Sequence, residues 1–338
     1  MLTSPRDELS AWLASLPGLA GRPLRSMPRD ASDRRYWRVA DDTGRRWVVM
    51  DAPGASAAVA QFSALAGRFA ALGLHVPAIR AADPALGGVL LEDLGERHYL
   101  DSLDASSVER LYGDALGALL TLQACAPHDN LPVYDAALIR RELGLFDDWL
   151  LRRHLGLTLD AAEQAALAAL ADVLVANMLA QPQVCVHRDF HSRNLMVVAT
   201  GPNPGILDFQ DAVLGPVTYD LVSLLRDCYI AWPAARVEDW AWGYFEQAVR
   251  SGVLETGHEP DFLRWFDLTG AQRHLKAAGI FARLARRDGR QGYLADIPRT
   301  LNYVLEVASR YSELAPLQAL LQQRVLPALQ ALDTADPT

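Results

Sequence analysis

The spacing of hydrophobic and polar positions changes near residue 95, from a pattern typical of strands to one typical of helices. Before that point, short apolar or alternating runs separated by turn sequences predict strands at 36–40, 46–50, 76–81 and 88–92. The sequence Asp41-Asp42-Thr43-Gly44 predicts a hairpin between the first two. Helical spacing predicts a short helix at 6–16 and a longer one at 57–74. The region up to residue 94 is therefore predicted to be a small antiparallel sheet with one inserted helix.

Beyond residue 95, apolar residues recur at helical spacing over most of the chain. Helices are predicted at 104–125, 135–154, 159–181, 218–229, 236–252, 259–288, 296–313 and 315–332. One insert breaks this pattern with three short apolar strands, at 183–186, 195–198 and 205–207. We therefore expect an α+β fold with two lobes. The N-lobe would span 1–94 and the C-lobe 95–338, joined by a hinge near 92–96.

Composition narrows the class of protein. The 338 residues are 51% hydrophobic and carry a net charge of −9, which disfavours a general binder of nucleic acid. The most apolar helical stretch, 164–180, is interrupted by Asp172 and predicts a buried helix rather than a membrane span. Cys125, Cys185 and Cys228 are widely spaced, without a CxxC pair or a recognisable leader, so we expect reduced thiols in a cytoplasmic protein. Nothing in the sequence indicates an obligate protein partner.

Lysine is almost missing from the chain. Of the 32 basic residues, 31 are arginine, and Lys276 is the only lysine. A Walker phosphate loop and an N-terminal Schiff-base lysine are therefore excluded. Alternatively, the bias reflects only an arginine- and alanine-rich genome.

Candidate chemistry is concentrated in the insert at 183–209. Asp189 and Asn194 lie five residues apart on one loop, and Asp208 follows the next predicted hairpin. Phosphoryl transfer from ATP requires a carboxylate to orient the attacking hydroxyl, and oxygen ligands for Mg²⁺. Asp189 suits the first role, and Asn194 with Asp208 suits the second.

The sequence His187-Arg188-Asp189, with Asn194 and then Asp208-Phe209-Gln210, resembles a kinase catalytic loop and its metal-binding motif. Gln210 stands where the metal-binding motif of protein kinases has glycine, and in this respect the sequence resembles the aminoglycoside phosphotransferase family. The resemblance covers nearly the whole chain and implies a protein-kinase-like fold, with Asp189 as the catalytic residue and Mg²⁺ held by Asn194 and Asp208. Asp220 would support the catalytic loop, although capping of the following helix explains it equally well.

The chain departs from the kinase pattern where nucleotide phosphates normally meet a lysine on the third strand. No lysine exists there, so the protein is either a nucleotide-binding pseudokinase or uses another cation. The turn before the hairpin is rich in arginine, and guanidinium binds phosphate well. The candidate ligands of ATP in this turn are Ser32, Arg34, Arg35 and Arg38. For each arginine, a solvated strand edge is the alternative.

The resemblance also implies that the backbone groups of Glu92 and Leu94 at the hinge bind adenine. Within the family, the motifs are most similar to kinases that phosphorylate the anomeric C1 hydroxyl of N-acetylmuramate and N-acetylglucosamine in cell-wall sugar recycling. This implies a small-molecule amino-sugar acceptor. Candidate acceptor-binding residues are Glu142, His191, Asp211 and Arg226, with an ion pair as the alternative for Arg226. A kinase of aminoglycosides or another small metabolite remains the competing interpretation.

Overall fold

The computed structural model describes residues 6–27 and 34–335, which divide into two compact units. Unit 1 takes the chain up to Ala126 together with Arg193–Asp211, and unit 2 takes Pro127–Ser192 with the chain from Ala212 onward. The predicted lobe boundary at residue 94 lies inside unit 1. The reason is local pairing, because Tyr99 N donates to Leu195 O over 2.8 Å and Val197 N donates to Arg97 O over 2.8 Å.

Helices and strands together confirm the α+β class. The strands are β1 (Arg25–Ser26), β2 (Arg35–Ala40), β3 (Arg46–Asp51), β4 (Ile79–Asp83), β5 (Gly88–Glu92), β6 (Gln183–Val186), β7 (Leu195–Met196), β8 (Gly205–Ile206) and β9 (Val213–Pro216). The α-helices are α1 (Asp7–Ser15), α2 (Ser56–Ala71), α3 (Val108–Cys125), α4 (Ala136–Leu145), α5 (Ala161–Leu179), α6 (Tyr219–Leu225), α7 (Ala234–Arg250), α8 (Glu259–Asp288), α9 (Ile297–Ala308), α10 (Ala315–Leu320) and α11 (Leu326–Ala335). Shorter 3₁₀ turns lie at Thr256–His258, Gln291–Asp296 and Ser312–Leu314, and π-helical segments at Phe146–His154 and Leu321–Val325.

The main sheet belongs to unit 1. Its five strands are ordered β1-β2-β3-β5-β4, and each neighbouring pair is antiparallel. Trp37, Val49 and Leu90 point from this sheet into a core that Leu9 and Leu13 of α1 complete. Burial of these apolar side chains is the main source of the sheet's stability.

The predicted hairpin turn at Asp41 is confirmed. The Asp41 carboxylate accepts hydrogen bonds from Thr43 N at 3.0 Å, Arg45 N at 3.1 Å and the Trp47 indole at 2.9 Å. Its hydrogen bonds with Thr43 and Trp47 hold the pKa of Asp41 well below its ordinary value. Gly44 takes the left-handed conformation, φ 83°, that the turn requires.

Unit 2 is built around α8, whose 30 residues match the predicted 259–288 helix. Proline in the first turn and left-handed Gly289 at the end delimit it. Gly279 brings α8 against the end of α4, because a β-carbon at Gly279 would lie only 2.4 Å from the carbonyl atoms of Leu145. Immediately after that contact, α4 continues as the π-helical segment Phe146–His154.

Two predictions in unit 2 are wrong in their details. The helix predicted at 218–229 ends at Leu225, since Arg226 leaves helical geometry and Asp227 Oδ1 accepts from Tyr229 N at 2.9 Å. Strand β9 was not predicted, because its Gly215-Pro216 sequence is more typical of a turn. It nevertheless pairs with β6 along its whole length, from Val186 opposite Val213 to Gln183 opposite Pro216.

Among the described helices, α5 alone has the length and apolar composition of a membrane span. Leu170 and Leu174 pack into the core of unit 2, whereas Asp172 is exposed and pairs with Arg140. Asp160 and Glu163 cap its first turn reciprocally. The expectation of a buried helix therefore holds for only one face of α5.

Candidate active site

The loop that carries Asp189 follows strand β6 of unit 2. Asp220, in the first turn of α6, holds this loop. The fully buried Asp220 carboxylate accepts from His187 N at 2.6 Å and from Arg188 N at 3.0 Å. Of the two interpretations of Asp220, the structure supports the loop rather than the helix cap. Burial raises the pKa of Asp220 to about 6, against the opposing effect of His187 and these hydrogen bonds.

Arg188 holds an uncommon backbone conformation directly before Asp189. Its φ of 78° lies in the left-handed region, which a non-glycine residue occupies at an energetic cost and which is concentrated at functional sites. The Arg188 guanidinium forms an ion pair with Glu142 on α4. The other Glu142 oxygen accepts a short hydrogen bond from the Tyr134 hydroxyl.

Lys276 on α8 binds the same carboxylate from another direction. Its ammonium lies 3.1 Å from Glu142 Oε1 and donates to the Tyr219 hydroxyl over 2.9 Å. Burial raises the pKa of Glu142, but Lys276 and Arg188 outweigh it and hold that pKa below its ordinary value. Glu142 is therefore an ionised bridge between α4, α8 and the loop.

Asp189 itself is half-buried and surrounded by cationic groups. Burial raises the pKa of its carboxyl, and the positive charge of Lys276, together with His191, Arg273 and His187, lowers it further than burial raises it. The net shift is downward, so Asp189 is a carboxylate at neutral pH. That is the state in which it can accept the hydrogen of a hydroxyl group.

His191 follows on the same loop in a less polar setting. Its ring meets Tyr229 edge to face at 5.4 Å between centroids, and its Nδ1 is buried without a hydrogen-bond partner. Burial is the largest cause of the lowered pKa of His191. Asp227 fixes this end of the loop by accepting from Ser192 N at 2.9 Å.

Two of the four candidate acceptor residues lie in internal ion pairs of unit 2. Glu142 is 5% exposed and engaged as described, so it supports the loop instead of lining an open pocket. Arg226 is 9% exposed, donates to Asp267 at 2.6 Å and stacks over Phe266 at 4.5 Å. The ion-pair interpretation of Arg226 is the one that these contacts support. Asp211, in contrast, is exposed at the end of unit 1.

Unit 1 brings Asn194 and Asp208 to the same end of a two-stranded hairpin. Strand β7 pairs with β8, and Leu207 N donates to Asn194 O over 2.9 Å. Asp208 has a left-handed φ of 62°, and its Oδ1 accepts from the Gln210 amide at 2.7 Å. The glutamine that replaces the usual glycine thus orients the carboxylate that precedes it.

Phe209 anchors this end of the hairpin to α2. Its buried ring stacks on Phe62 at 5.0 Å and meets Phe69 edge to face at 5.6 Å. Such aromatic pairs stabilise by about 0.5–1.5 kcal/mol each beyond the area they bury. The position of Asp208 is therefore coupled to α2.

A cavity of about 290 Å³ lies in unit 1 beside the predicted hinge. Glu92 and Leu94 line one part of it, and residues 197–200 line another. Both hinge residues named from the sequence thus border a concave space within the range typical of small-ligand sites.

The structure separates the arginines that the sequence grouped together. The Arg38 guanidinium contacts Asp93 at 3.1 Å, Glu96 at 2.7 Å and the Gly95 carbonyl at 2.6 Å, so it is a hinge cation and not an uncommitted phosphate ligand. Arg35 opens β2 opposite Asp51 in the sheet register. Arg34 directly precedes it and is half-buried. Ser32 lies outside the described residues.

Sequence reasoning missed the groups that surround Asp189 from α8. Lys276 and Arg273 lie three residues apart and are both buried, as are His274 between them and Gln272 directly before Arg273. A signal was present, because polar residues within an otherwise apolar helix mark a buried polar network. The rarity of lysine made Lys276 the most conspicuous of these residues.

The sequence pattern of the phosphotransferase enzyme family matches residues 23–255, more than half of the chain. The chain belongs to this family. It is 46% identical over 327 residues to the N-acetylmuramate/N-acetylglucosamine kinase of Pseudomonas aeruginosa, covering 93% of this chain and 95% of that one. It is 45% identical over 300 residues to the kinase of the same description from Pseudomonas putida, covering 89% and 88%.

The fold agrees with that assignment. The structure of ADP-bound aminoglycoside phosphotransferase APH(2'')-Ib superposes with a TM-score of 0.59 at 15% sequence identity, covering 90% of this chain and 99% of that one. At this identity the likeness concerns the fold alone. The protein-kinase-like fold and the phosphotransferase class predicted from the motifs are confirmed.

Proposed function

We propose that this phosphotransferase uses ATP to phosphorylate the C1 hydroxyl of N-acetylmuramate and N-acetylglucosamine, as a bacterial cytoplasmic enzyme of cell-wall sugar recycling. The observation that carries the proposal is the full-length similarity to kinases described by those two sugars. The ionised Asp189 supports the proposal, because Asp220 and Glu142 hold its loop in place by hydrogen bonds and an ion pair. A catalytic site that had lost its activity would not require these contacts.

In the proposed reaction, Asp189 orients the anomeric hydroxyl and accepts its proton. The sugar oxygen forms a bond to the γ-phosphorus, the bond from that phosphorus to the β,γ-bridging oxygen breaks, and ADP leaves with the bridging electron pair. The products are a sugar 1-phosphate, ADP and one proton. The lowered pKa of Asp189 keeps it ready to accept at neutral pH.

Asn194 and Asp208 fit a Mg²⁺ site in their donor chemistry. A carboxylate oxygen and an amide oxygen at one end of the β7–β8 hairpin match the few protein ligands that Mg²⁺ takes beside phosphates and water. When bound, the ion neutralises charge on the phosphate oxygens. Gln210 limits the rotation of the Asp208 carboxylate through its hydrogen bond to Oδ1.

The proposal assigns the nucleotide to unit 1. The cavity bordered by Glu92 and Leu94 would receive the adenine, with backbone groups of the hinge as hydrogen-bond partners. Arg34 and Arg35 are retained as candidate phosphate cations, and Ser32 as a candidate phosphate ligand. Arg38 is not retained in that role, because three hinge groups already occupy its guanidinium.

Unit 2 would bind the acceptor near Asp189. His191 is retained as an acceptor-binding candidate because its Nδ1 is buried without a hydrogen-bond partner. Asp211 belongs to unit 1 and is retained from the sequence as an exposed candidate. Glu142 and Arg226 are not retained, since their charged groups already have buried partners.

An ATP-consumption screen tests the proposed function. The acceptor panel contains N-acetylmuramate, N-acetylglucosamine, kanamycin, choline and homoserine, and Asp189→Asn is assayed beside the unmodified protein. We expect turnover with the two amino sugars and a fall in kcat of about 10²–10⁴-fold in the variant. Turnover with only kanamycin, choline or homoserine would replace the proposal by a different small-metabolite kinase. Binding of ATP without turnover on any acceptor would indicate a nucleotide-binding module.

A further inference from the structure

The single lysine of the chain occupies a buried position beside the catalytic loop. Lys276 is 9% exposed, and a buried ammonium is costly unless charged and hydrogen-bonded partners compensate it. It has two such partners, the Glu142 carboxylate at 3.1 Å and the Tyr219 hydroxyl at 2.9 Å. Tyr219 has no part in the predicted nucleotide, metal or acceptor chemistry, and the buried contacts of Glu142 set it apart from the open acceptor pocket predicted for it. The ammonium therefore needs a structural or mechanistic explanation of its own.

Glu142 connects this lysine to the backbone next to Asp189. Its Oε1 contacts both Lys276 and Arg188, and Arg188 adopts the left-handed φ of 78° immediately before the catalytic carboxylate. A strained backbone of this kind persists only when its surroundings hold it. Asp220 holds the amide of Arg188, and Glu142 holds its side chain. Lys276 in turn contacts Glu142, at 3.1 Å.

We propose that Lys276 is a positioning residue for Asp189, acting through the Glu142 carboxylate that it shares with Arg188. The inference rests on the proposed kinase function, and it assigns a role to the one lysine that the arginine-rich chain retains. An arginine is longer and planar, so it is a poor substitute where a compact ammonium must meet both a carboxylate and a phenol.

Charge gives Lys276 a second effect on the same group. The ammonium faces Tyr219 of α6, Glu142 of α4, and Arg188 and Asp189 of the loop. Burial lowers the pKa of Lys276, but Tyr219 and Glu142 raise it more, so the residue stays charged at neutral pH.

Asp189 is faced by Lys276 and by three other basic groups, His191, Arg273 and His187. Lys276 is the largest of these contributions to its lowered pKa. Removing the ammonium therefore shifts the pKa of Asp189 upward, toward protonation.

A chain with one lysine permits a direct test by NMR. Protein carrying lysine labelled with ¹³C at Cε, without a lysine in any tag, gives one lysine side-chain resonance, that of Lys276. We expect this resonance to keep its charged-state shift to higher pH than that of an exposed lysine, because burial lowers the pKa of Lys276 less than Tyr219 and Glu142 raise it. Glu142→Gln should bring its titration to lower pH, and Asp189→Asn should change its chemical shift. An unchanged titration in Glu142→Gln, or an unchanged chemical shift in Asp189→Asn, would overturn the inference even if the enzyme is inactive on every sugar.

Kinetics test the positioning role separately. We expect Lys276→Met to lower kcat by about 10²-fold, with little change in the KM for ATP, and to move the acidic limb of the pH–kcat profile upward by about one unit. Lys276→Arg should restore the acidic limb, because it restores the charge. Arg286→Met, which removes a cation of the same helix that binds His154, is the control and should leave kcat and the profile unchanged.

A double variant separates positioning from loss of folding. If Lys276 positions Asp189 through Glu142, then Glu142→Gln with Lys276→Met should have the kcat of Glu142→Gln alone, within about twofold, at a pH well above the acidic limb, where Asp189 stays ionised without the ammonium. It also avoids the loss of one of the two cations that compensate the buried Glu142 carboxylate, which could prevent Lys276→Met from folding. An active parent enzyme with an unchanged kcat and acidic limb in Lys276→Met would overturn the inference. An inactive parent enzyme would count against the proposed function instead.

Discussion

Gly279→Ala should weaken both the fold and the proposed reaction through one contact. The added methyl would lie 2.4 Å from the backbone carbonyl atoms of Leu145 and 2.7 Å from Phe146 N. Backbone atoms within two packed helices cannot turn aside as a flexible side chain can. The helices α4 and α8 must therefore separate by about 1 Å to reach the ordinary contact distance near 3.4 Å.

The stability cost follows from that displacement. Overpacking of a well-packed contact costs about 1–3 kcal/mol. Alanine recovers up to about 1 kcal/mol of helix propensity relative to glycine, which offsets part of the cost. With the full offset, we expect the free energy of unfolding to fall by up to about 2 kcal/mol, the difference between these two effects.

The separation of α4 and α8 also affects the buried ammonium of Lys276. Lys276 lies three residues before Gly279 on α8, and Glu142 lies three residues before Leu145 on α4. Separation of the two helices therefore lengthens the 3.1 Å ion pair between Lys276 and Glu142. A misplacement of about 1 Å can reduce the rate by about 10²-fold, so kcat should fall well beyond the change in stability.

Urea unfolding followed by tryptophan fluorescence measures the first effect, and kcat at saturating ATP and sugar measures the second. Gly243→Ala is the matched control, because Gly243 lies within α7 and a β-carbon there has no neighbouring atom within 4 Å. It should raise stability by about 0.5–1 kcal/mol and leave kcat unchanged. The reasoning is refuted if Gly279→Ala stabilises the protein as much as Gly243→Ala does.

Three further outcomes follow from single contacts. Burial raises the pKa of Asp220 to about 6, so the native protein holds this proton more tightly than the unfolded chain does. Stability should therefore fall as pH rises from about 4 to about 6, and thermal melts of Asp220→Asn should lack that fall. Gln210→Ala removes the hydrogen bond from Gln210 to the Asp208 carboxylate and should raise the Mg²⁺ concentration for half-maximal rate by about tenfold, whereas an unchanged Mg²⁺ titration would contradict the orienting role. Arg38→Ala removes the cation paired with Asp93 at the hinge cavity and should raise the KM for ATP several-fold at unchanged kcat; a loss of kcat with unchanged KM would instead favour a phosphate role.

Local sequence signals predicted most elements because each is encoded over short distances. The Asp41 turn carries its own hydrogen-bond acceptor, and the 259–288 helix has a proline at its start and a glycine after its end. Strand β9 was missed because it forms only by pairing with β6, about 30 residues earlier. Its Gly215-Pro216 sequence on its own is that of a turn.

The residues of the candidate site also differ in whether the local sequence could predict their roles. Asp189, Asn194 and Asp208 stand out in the sequence because their spacing on one insert carries the chemistry. The partners of Glu142 and Arg38 could not be read from the sequence, since those contacts join segments far apart in the chain. Glu142 and Arg38 both carry charged groups of the kind that bind ligands. Only their tertiary contacts show that these charges are already paired.

The oxygen that receives the phosphoryl group distinguishes a sugar 1-kinase from a kinase of any other sugar hydroxyl. Incubation of the enzyme with ATP, Mg²⁺ and N-acetylmuramate, followed by ¹H–³¹P correlation NMR of the product, identifies that oxygen directly. We predict a phosphorus signal coupled to the anomeric proton, formed by the unmodified enzyme and lost with Asp189→Asn. Coupling of phosphorus to the C6 protons, or the same product at the same rate from Asp189→Asn, would contradict this account.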